Sequence, residues 1–125
     1  MLNEIIISSP TELVRVSAFD VLAIKADNNY SWLVLTDGTE QMISLQLGQL
    51  EDVIRRQLGD TGAIFIRVGR SVMINKEFLF SINLTKRVMI VRSESGVRKV
   101  YDASREALQS LKKYIEEEFS KVNSK

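Results

Sequence analysis

The sequence predicts a mostly β chain with two helices, one mid-chain and one C-terminal, built on small antiparallel sheets. Three observations carry this. Alternation of apolar and polar residues dominates from residue 12 to residue 102, which is the repeat of half-buried strands. Two segments break it with three-four-four spacing, Leu47, Leu50, Ile54 and Leu58, then Leu108, Leu111, Ile115 and Phe119, and each quartet falls on one helical face. Turn-forming clusters such as Asp27-Asn28-Asn29, Asp37-Gly38 and Glu94-Ser95-Gly96 punctuate the alternating runs. With 125 residues, 45% apolar and 26% charged, the chain suits one domain around a single hydrophobic core.

The elements follow in order. Leu13–Ser17 alternates, and Val21–Ile24 with Trp32–Leu35 reads as a hairpin across Asp27-Asn28-Asn29. Asp37-Gly38 tolerates the positive φ of a tight two-residue turn and returns the chain into Gln41–Ser44. Ser44 is the candidate N-cap of the first helix, and Gly59 its left-handed stop. Two apolar runs, Ile64-Phe65-Ile66 and Val72-Met73-Ile74, flank a basic loop or bulge, Arg67-Val68-Gly69-Arg70-Ser71. Phe78–Leu84, Val88–Arg92 and Val97–Tyr101 read as three further strands, with a turn at Thr85-Lys86-Arg87. The last helix starts near Asp102 or Ser104, either of which suits an N-cap. Arg105 in its first turn opposes the helix dipole and points to some other use of that charge.

Absent residue types exclude much chemistry. With no His and no Cys, the chain lacks a thiolate nucleophile, a Ser-His pair, a thiolate or imidazole zinc site and any disulfide. No paired acid–base constellation stands out among its carboxylates and lysines, so no enzyme activity, metal or cofactor is expected. Ile5-Ile6-Ile7 is too short for a signal core or a membrane span, which makes the cytoplasm the expected location.

The net charge of +1 conceals a cancellation. Residues 1–54 hold two bases and eight acids, residues 55–105 hold eleven bases and four acids, and the remainder balances. A basic stretch of this kind suits phosphate binding through counterion release, and equally suits cations that merely solvate strand faces.

The segment Phe65-Ile66-Arg67-Val68-Gly69-Arg70-Ser71-Val72-Met73-Ile74-Asn75-Lys76 is the most specific feature. Together with Ile24-Lys25-Ala26-Asp27-Asn28-Asn29-Tyr30, the Asp37-Gly38 turn, Ser44-Leu45 before a Leu-rich helix, and Ala103-Ser104-Arg105, it resembles the LytTR-type DNA-binding domain of bacterial transcription regulators. The resemblance spans roughly residues 19 to 116. It implies an elongated LytTR-like arrangement of the small sheets, whose connecting loops enter the major groove of double-stranded DNA. On this reading residues 1–18 are an N-terminal strand or extension, 19–119 the DNA-binding domain and 120–125 a flexible tail. It also implies promoter repeats as partner, with a second copy on an adjacent half-site or a separate regulatory protein; the receiver module usual in the family is not expected here, because only about 18 residues precede the matched region.

The resemblance places DNA contacts at Asn28 and Asn29, at Arg70 and Ser71, and at Ser104 and Arg105, with Arg67 and Lys76 added as cations of the same segment. Their chemistry agrees, since Arg pairs with guanine O6 and N7, Asn with adenine N6 and N7, and Lys with phosphate. Other roles remain open for several. Asn28 and Asn29 suit a left-handed turn, Arg67 sits where it either touches DNA or supports the loop from behind, and Arg105 lies near Asp102 and Glu106. Asn75 is expected to cap the turn before Lys76-Glu77, and Trp32, Met73 and Met89 to pack in the core or on a sheet face. Gly69 departs from the family, whose members often carry His before the Arg-Ser pair, and so removes one polar contact. That departure motivates an alternative, a protein-interaction module of the same fold that has lost DNA binding.

Overall fold

A computed structural model describes residues 3–123. Among the described residues, ten strands form three antiparallel sheets. Strands β1 (Glu4–Ser8) and β2 (Leu13–Ser17) make a hairpin. The central sheet has the order β5-β4-β3-β7-β6, built from β3 (Val21–Asp27), β4 (Tyr30–Leu35), β5 (Glu40–Ile43), β6 (Phe65–Val68) and β7 (Val72–Asn75). The third sheet, in the order β10-β9-β8, comprises β8 (Leu79–Asn83), β9 (Val88–Arg92) and β10 (Arg98–Asp102). Helix α1 (Leu47–Leu58) follows β5, and helix α2 (Arg105–Asn123) closes the chain. Neither helix is long and apolar enough to cross a membrane.

The expected single core is two cores, one on each face of the central sheet. On one face Ile24, Leu33, Ile43, Phe65 and Met73 pack with the α1 residues Leu47, Leu50, Ile54 and Leu58 and with Ile5 and Ile7 of β1. On the other, Leu22, Ala23, Val34, Val72 and Ile74 meet Met89, Val91 and Tyr101 of the third sheet and Leu108 and Leu111 of α2. This explains the unbroken apolar runs Val21–Ile24 and Val72–Ile74, because a strand covered on both faces has no polar side. Met73 and Met89 are buried as expected.

The β1–β2 hairpin adds Ile5 and Ile7 to the first core. Ile5 is wholly buried, and the side-chain amide of Gln57 on α1 pairs with Ile6 as a strand would: its Oε1 accepts from Ile6 N at 2.8 Å and its Nε2 donates to Ile6 O at 2.7 Å. Helix α2 continues past Phe119 to Asn123. Leu108 and Leu111 are buried, whereas Phe119, the fourth residue of that apolar row, is 69% exposed.

Other differences are local. The cap of α1 is Gln46 rather than Ser44, with the Gln46 N–H donating to Gln49 Oε1 at 2.9 Å. Gly59 does end the helix, at φ +55°. The Asp37-Gly38 connection is longer than two residues: Asp37 Oδ1 accepts from both the N–H and the hydroxyl of Thr39, and Leu35 N bonds Thr39 O. Asn75 is fully buried and does cap the following turn. Its Oδ1 accepts from Glu77 N at 3.0 Å while its Nδ2 donates to Val21 O at 3.0 Å and Ala18 O at 3.4 Å.

Candidate nucleic-acid interface

Three connections gather at one end of the central sheet. Because β3 is antiparallel to both β4 and β7, the end of β3 lies beside the start of β4 and the start of β7. The β3–β4 turn, Asn28-Asn29, and the β6–β7 turn, Gly69-Arg70-Ser71, are therefore neighbours. A backbone bond from Ala26 N to Ser71 O, 2.8 Å, joins them.

The β3–β4 turn closes on the pair Asp27 and Tyr30, with Asn28 at φ +55°, the left-handed conformation that Asn tolerates better than most residues. The side chain of Asn28 is exposed and has no partner among the described residues. Asn29 differs, since its Oδ1 accepts from Gln46 Nε2 at 3.0 Å, which ties the turn to the start of α1. Trp32, half-buried on the sheet face, donates from Nε1 to Asp27 Oδ2 at 3.0 Å and steadies the same hairpin.

Arg67 lies inside β6, not in a loop, and both terminal nitrogens of its guanidinium are engaged behind the turn. Nη1 meets Glu51 Oε1 of α1 at 3.0 Å, Nη2 donates to the Arg70 carbonyl at 3.0 Å, and Nε is buried without a partner. Of the two roles left open for Arg67, the structure fits support. The β6–β7 hairpin closes at Val68 and Val72, and Gly69 at φ +68° turns the chain. That turn leaves Arg70 and Ser71 exposed, and the Arg70 side chain has no partner among the described residues.

The start of α2 abuts the same turn. A methyl group added to Gly69 would stand 3.9 Å from Ala107 Cβ, so the glycine and the first turn of α2 are in near contact. Ser104 is the N-cap, its Oγ accepting from Ala107 N at 3.1 Å. Arg105 pairs with neither Asp102 nor Glu106 and instead donates from Nη1 to the Leu84 carbonyl at 3.4 Å, a long bond that leaves its charge in solvent. The three adjoining connections thus present one exposed row of side chains that includes Asn28, Asn29, Arg70, Ser71 and Arg105.

Lys76 is not part of this row. It follows the opposite end of β7, about 17 Å along the chain from Ser71 at strand rise. There its Nζ bonds Glu118 Oε2 of α2 at 2.8 Å and lies over the Tyr114 ring, 5.5 Å from the centroid. The Glu118 carboxylate raises the Lys76 ammonium above its usual range, and the ammonium in turn lowers the carboxyl.

A cleft of about 500 Å³ separates the central sheet from β10, lined by Lys25, Asp27, Trp32, Glu40, Lys99 and Tyr101. Burial, with the Glu40 charge second, pushes the Tyr101 phenol up to about 12, so it stays neutral there. Lys99 is already paired with Glu40 at 3.2 Å.

Glu51 was not singled out by sequence, because nothing in a helical Glu announces a partner on a strand sixteen residues later. No protein-family model and no curated protein matches the sequence. Among solved structures the chain is similar to a LytTr DNA-binding domain from Bacillus cereus, with a TM-score of 0.62 at 15% identity over 90% of this chain and 96% of that one. Mostly β, with several small antiparallel sheets and two helices in the same arrangement, the chain has the fold of a LytTR DNA-binding domain.

Proposed function

We propose that this chain is a non-catalytic, sequence-specific binder of double-stranded DNA that regulates transcription from the cytoplasm, presenting its strand-connecting loops to the major groove. The observation that carries the reading is the single exposed row formed by Asn28, Ser71, Arg70 and Arg105, drawn from three separate connections. The Arg70 side chain has no partner among the described residues, so no intramolecular bond must break before it meets a base edge or a phosphate. The similarity to a LytTr DNA-binding domain supports the same reading.

Within the row the roles divide. Arg70 and Asn28 suit base edges, Arg105 and Ser71 suit bases or phosphates, and Arg67, Asn29 and Ser104 hold the backbone that presents them. Lys76 serves the fold. Near-neutral net charge implies modest nonspecific affinity and strong dependence on these few residues. Two copies on adjacent half-sites are expected, by analogy with proteins that read promoter repeats.

Selection of duplexes from a random pool, followed by titration at two salt concentrations, tests the reading. A selected duplex should bind with log affinity falling against log salt by about 0.9 per phosphate contacted. Arg70→Ala and Arg105→Ala should each weaken it by about 1–3 kcal/mol. Absence of binding at low salt excludes the reading, and co-purification with a regulator without DNA retention favours the protein-interaction module instead.

A further inference from the structure

The β8–β9 turn, residues 84–87, belongs to the third sheet, yet two bonds fasten it to the start of α2. The Leu84 carbonyl accepts from Arg105 Nη1 at 3.4 Å, and the Arg87 carbonyl accepts from Ala103 N at 3.2 Å. These bonds reach residues on both sides of Ser104. Inside the turn, Lys86 N donates to Asn83 Oδ1 at 2.9 Å and holds the backbone in place. The turn is thus continuous with the Arg105 end of the exposed row.

Its side chains are two adjacent cations. Lys86 and Arg87 are both exposed, and neither side chain has a hydrogen-bond or ion-pair partner among the described residues. The nearest acid by register, Asp102 opposite Val88, makes no ion pair with either. Arg87 also sits at φ +58°, where Gly or Asn would be the conformationally easy choice. Local structure explains neither the identity of residue 87 nor the pairing of two like charges. Together with Arg105 they put three cations around one end of the interface.

We propose that Lys86 and Arg87 grip phosphates of the duplex beside the Arg105 contact, adding a fourth connection to the interface and fixing its register on the DNA. The inference rests on the duplex-binding reading above. Phosphate rather than base is the fitting target. Lys offers a point charge without the planar geometry that discriminates bases, and the turn flanks the row whose Arg and Asn can read them.

The test uses the whole chain, with Lys86→Gln and Arg87→Gly combined, against both a pool-selected duplex and a scrambled duplex of equal length across about 50–200 mM salt. The double variant should give a log–log salt slope shallower by about 2, with both duplexes weakened by the same factor. Gly relieves the left-handed backbone at residue 87, so the melting temperature should be unchanged or higher, which separates lost binding from lost folding. A parent-like slope and affinity in the double variant overturns the proposal, as does weakening confined to the selected duplex, which would mean base reading. A parent chain that binds neither duplex at low salt removes the duplex-binding reading and this contact with it, an outcome visible before any variant is made.

Discussion

Arg67 Nη2 donates to the backbone carbonyl of Arg70 at 3.0 Å, so an arginine inside strand β6 holds the turn that exposes a second arginine three residues later. Its other terminal nitrogen, bound to Glu51, anchors that turn to α1. The two arginines of the motif therefore do different work, and substitution should separate them. Arg70→Ala should leave stability within about 0.5 kcal/mol of the parent while weakening DNA binding. Arg67→Ala should cost about 1–3 kcal/mol of stability, because it strips charged hydrogen bonds from a carboxylate and a carbonyl. Urea denaturation of both variants decides it, and equal stabilities would contradict the supporting role of Arg67.

Gly69 is required for its backbone. At φ +68° an L-side chain is strained, while the space is adequate, since an added Cβ would make only an ordinary 3.9 Å contact with Ala107. Gly69→Ala should therefore cost about 1–2 kcal/mol through conformation alone, and Gly69→Asn less, because Asn tolerates the left-handed region. If denaturation shows the two variants equally destabilised, steric crowding against α2 is the cause instead.

Asn75 is a buried polar junction. Asn75→Ala leaves the carbonyls of Ala18 and Val21 and the N–H of Glu77 without their partner, and should destabilise by about 2–4 kcal/mol. Asn75→Asp should be as damaging at neutral pH, since its carboxylate would face two carbonyl oxygens. Thermal melting of the two variants measures this, and a loss below about 1 kcal/mol in the alanine variant would show that water replaces the amide.

The Lys76–Glu118 pair should be visible in the pH dependence of stability. Glu118 titrates below its usual 4.5 because the Lys76 ammonium hydrogen-bonds it, so this contribution is present above about 4.5 and lost as pH falls through the lowered folded value. Lys76 titrates above its usual 10.5 because of Glu118, so that contribution is present below about 10.5 and lost as pH rises through the raised folded value. Glu118 is 41% exposed, and solvent screening keeps the pair below about 1 kcal/mol. Glu118→Gln should flatten the stability profile at both ends. A profile that keeps its alkaline fall-off in the variant would assign that loss to Tyr101, because its phenol ionises near 10 in the unfolded chain but only near about 12 in the fold, which favours unfolding as pH rises above 10.

Most elements were legible because their signals are short in range. The apolar runs of β3 and β4, the 47-50-54-58 face of α1, Gly59 at its end and the Ser104 cap each depend on residues within a few positions of one another. The turns that carry the proposed interface were legible for the same reason. Partners were not legible. Lys76 reads with the basic segment because its neighbours are basic, whereas its ammonium pairs with Glu118, 42 residues away. Ser44 looked like a cap by residue type, but the chain takes two more residues to leave β5 and the cap falls to Gln46.

The sequence by itself determined the strand and helix pattern, the left-handed residues Asn28 and Gly59, and the family whose fold the chain shares. Only the tertiary structure decided which charges are free. Backbone conformation follows from local sterics and periodicity, whereas the availability of a side chain depends on what packs against it. Arg67 is spent on Glu51 and the Arg70 carbonyl and Lys76 on Glu118, while Arg70, Lys86 and Arg87 have no partner among the described residues. Pairing of ions across 16 or 42 residues arises when two core faces close on one sheet, and no local pattern encodes it.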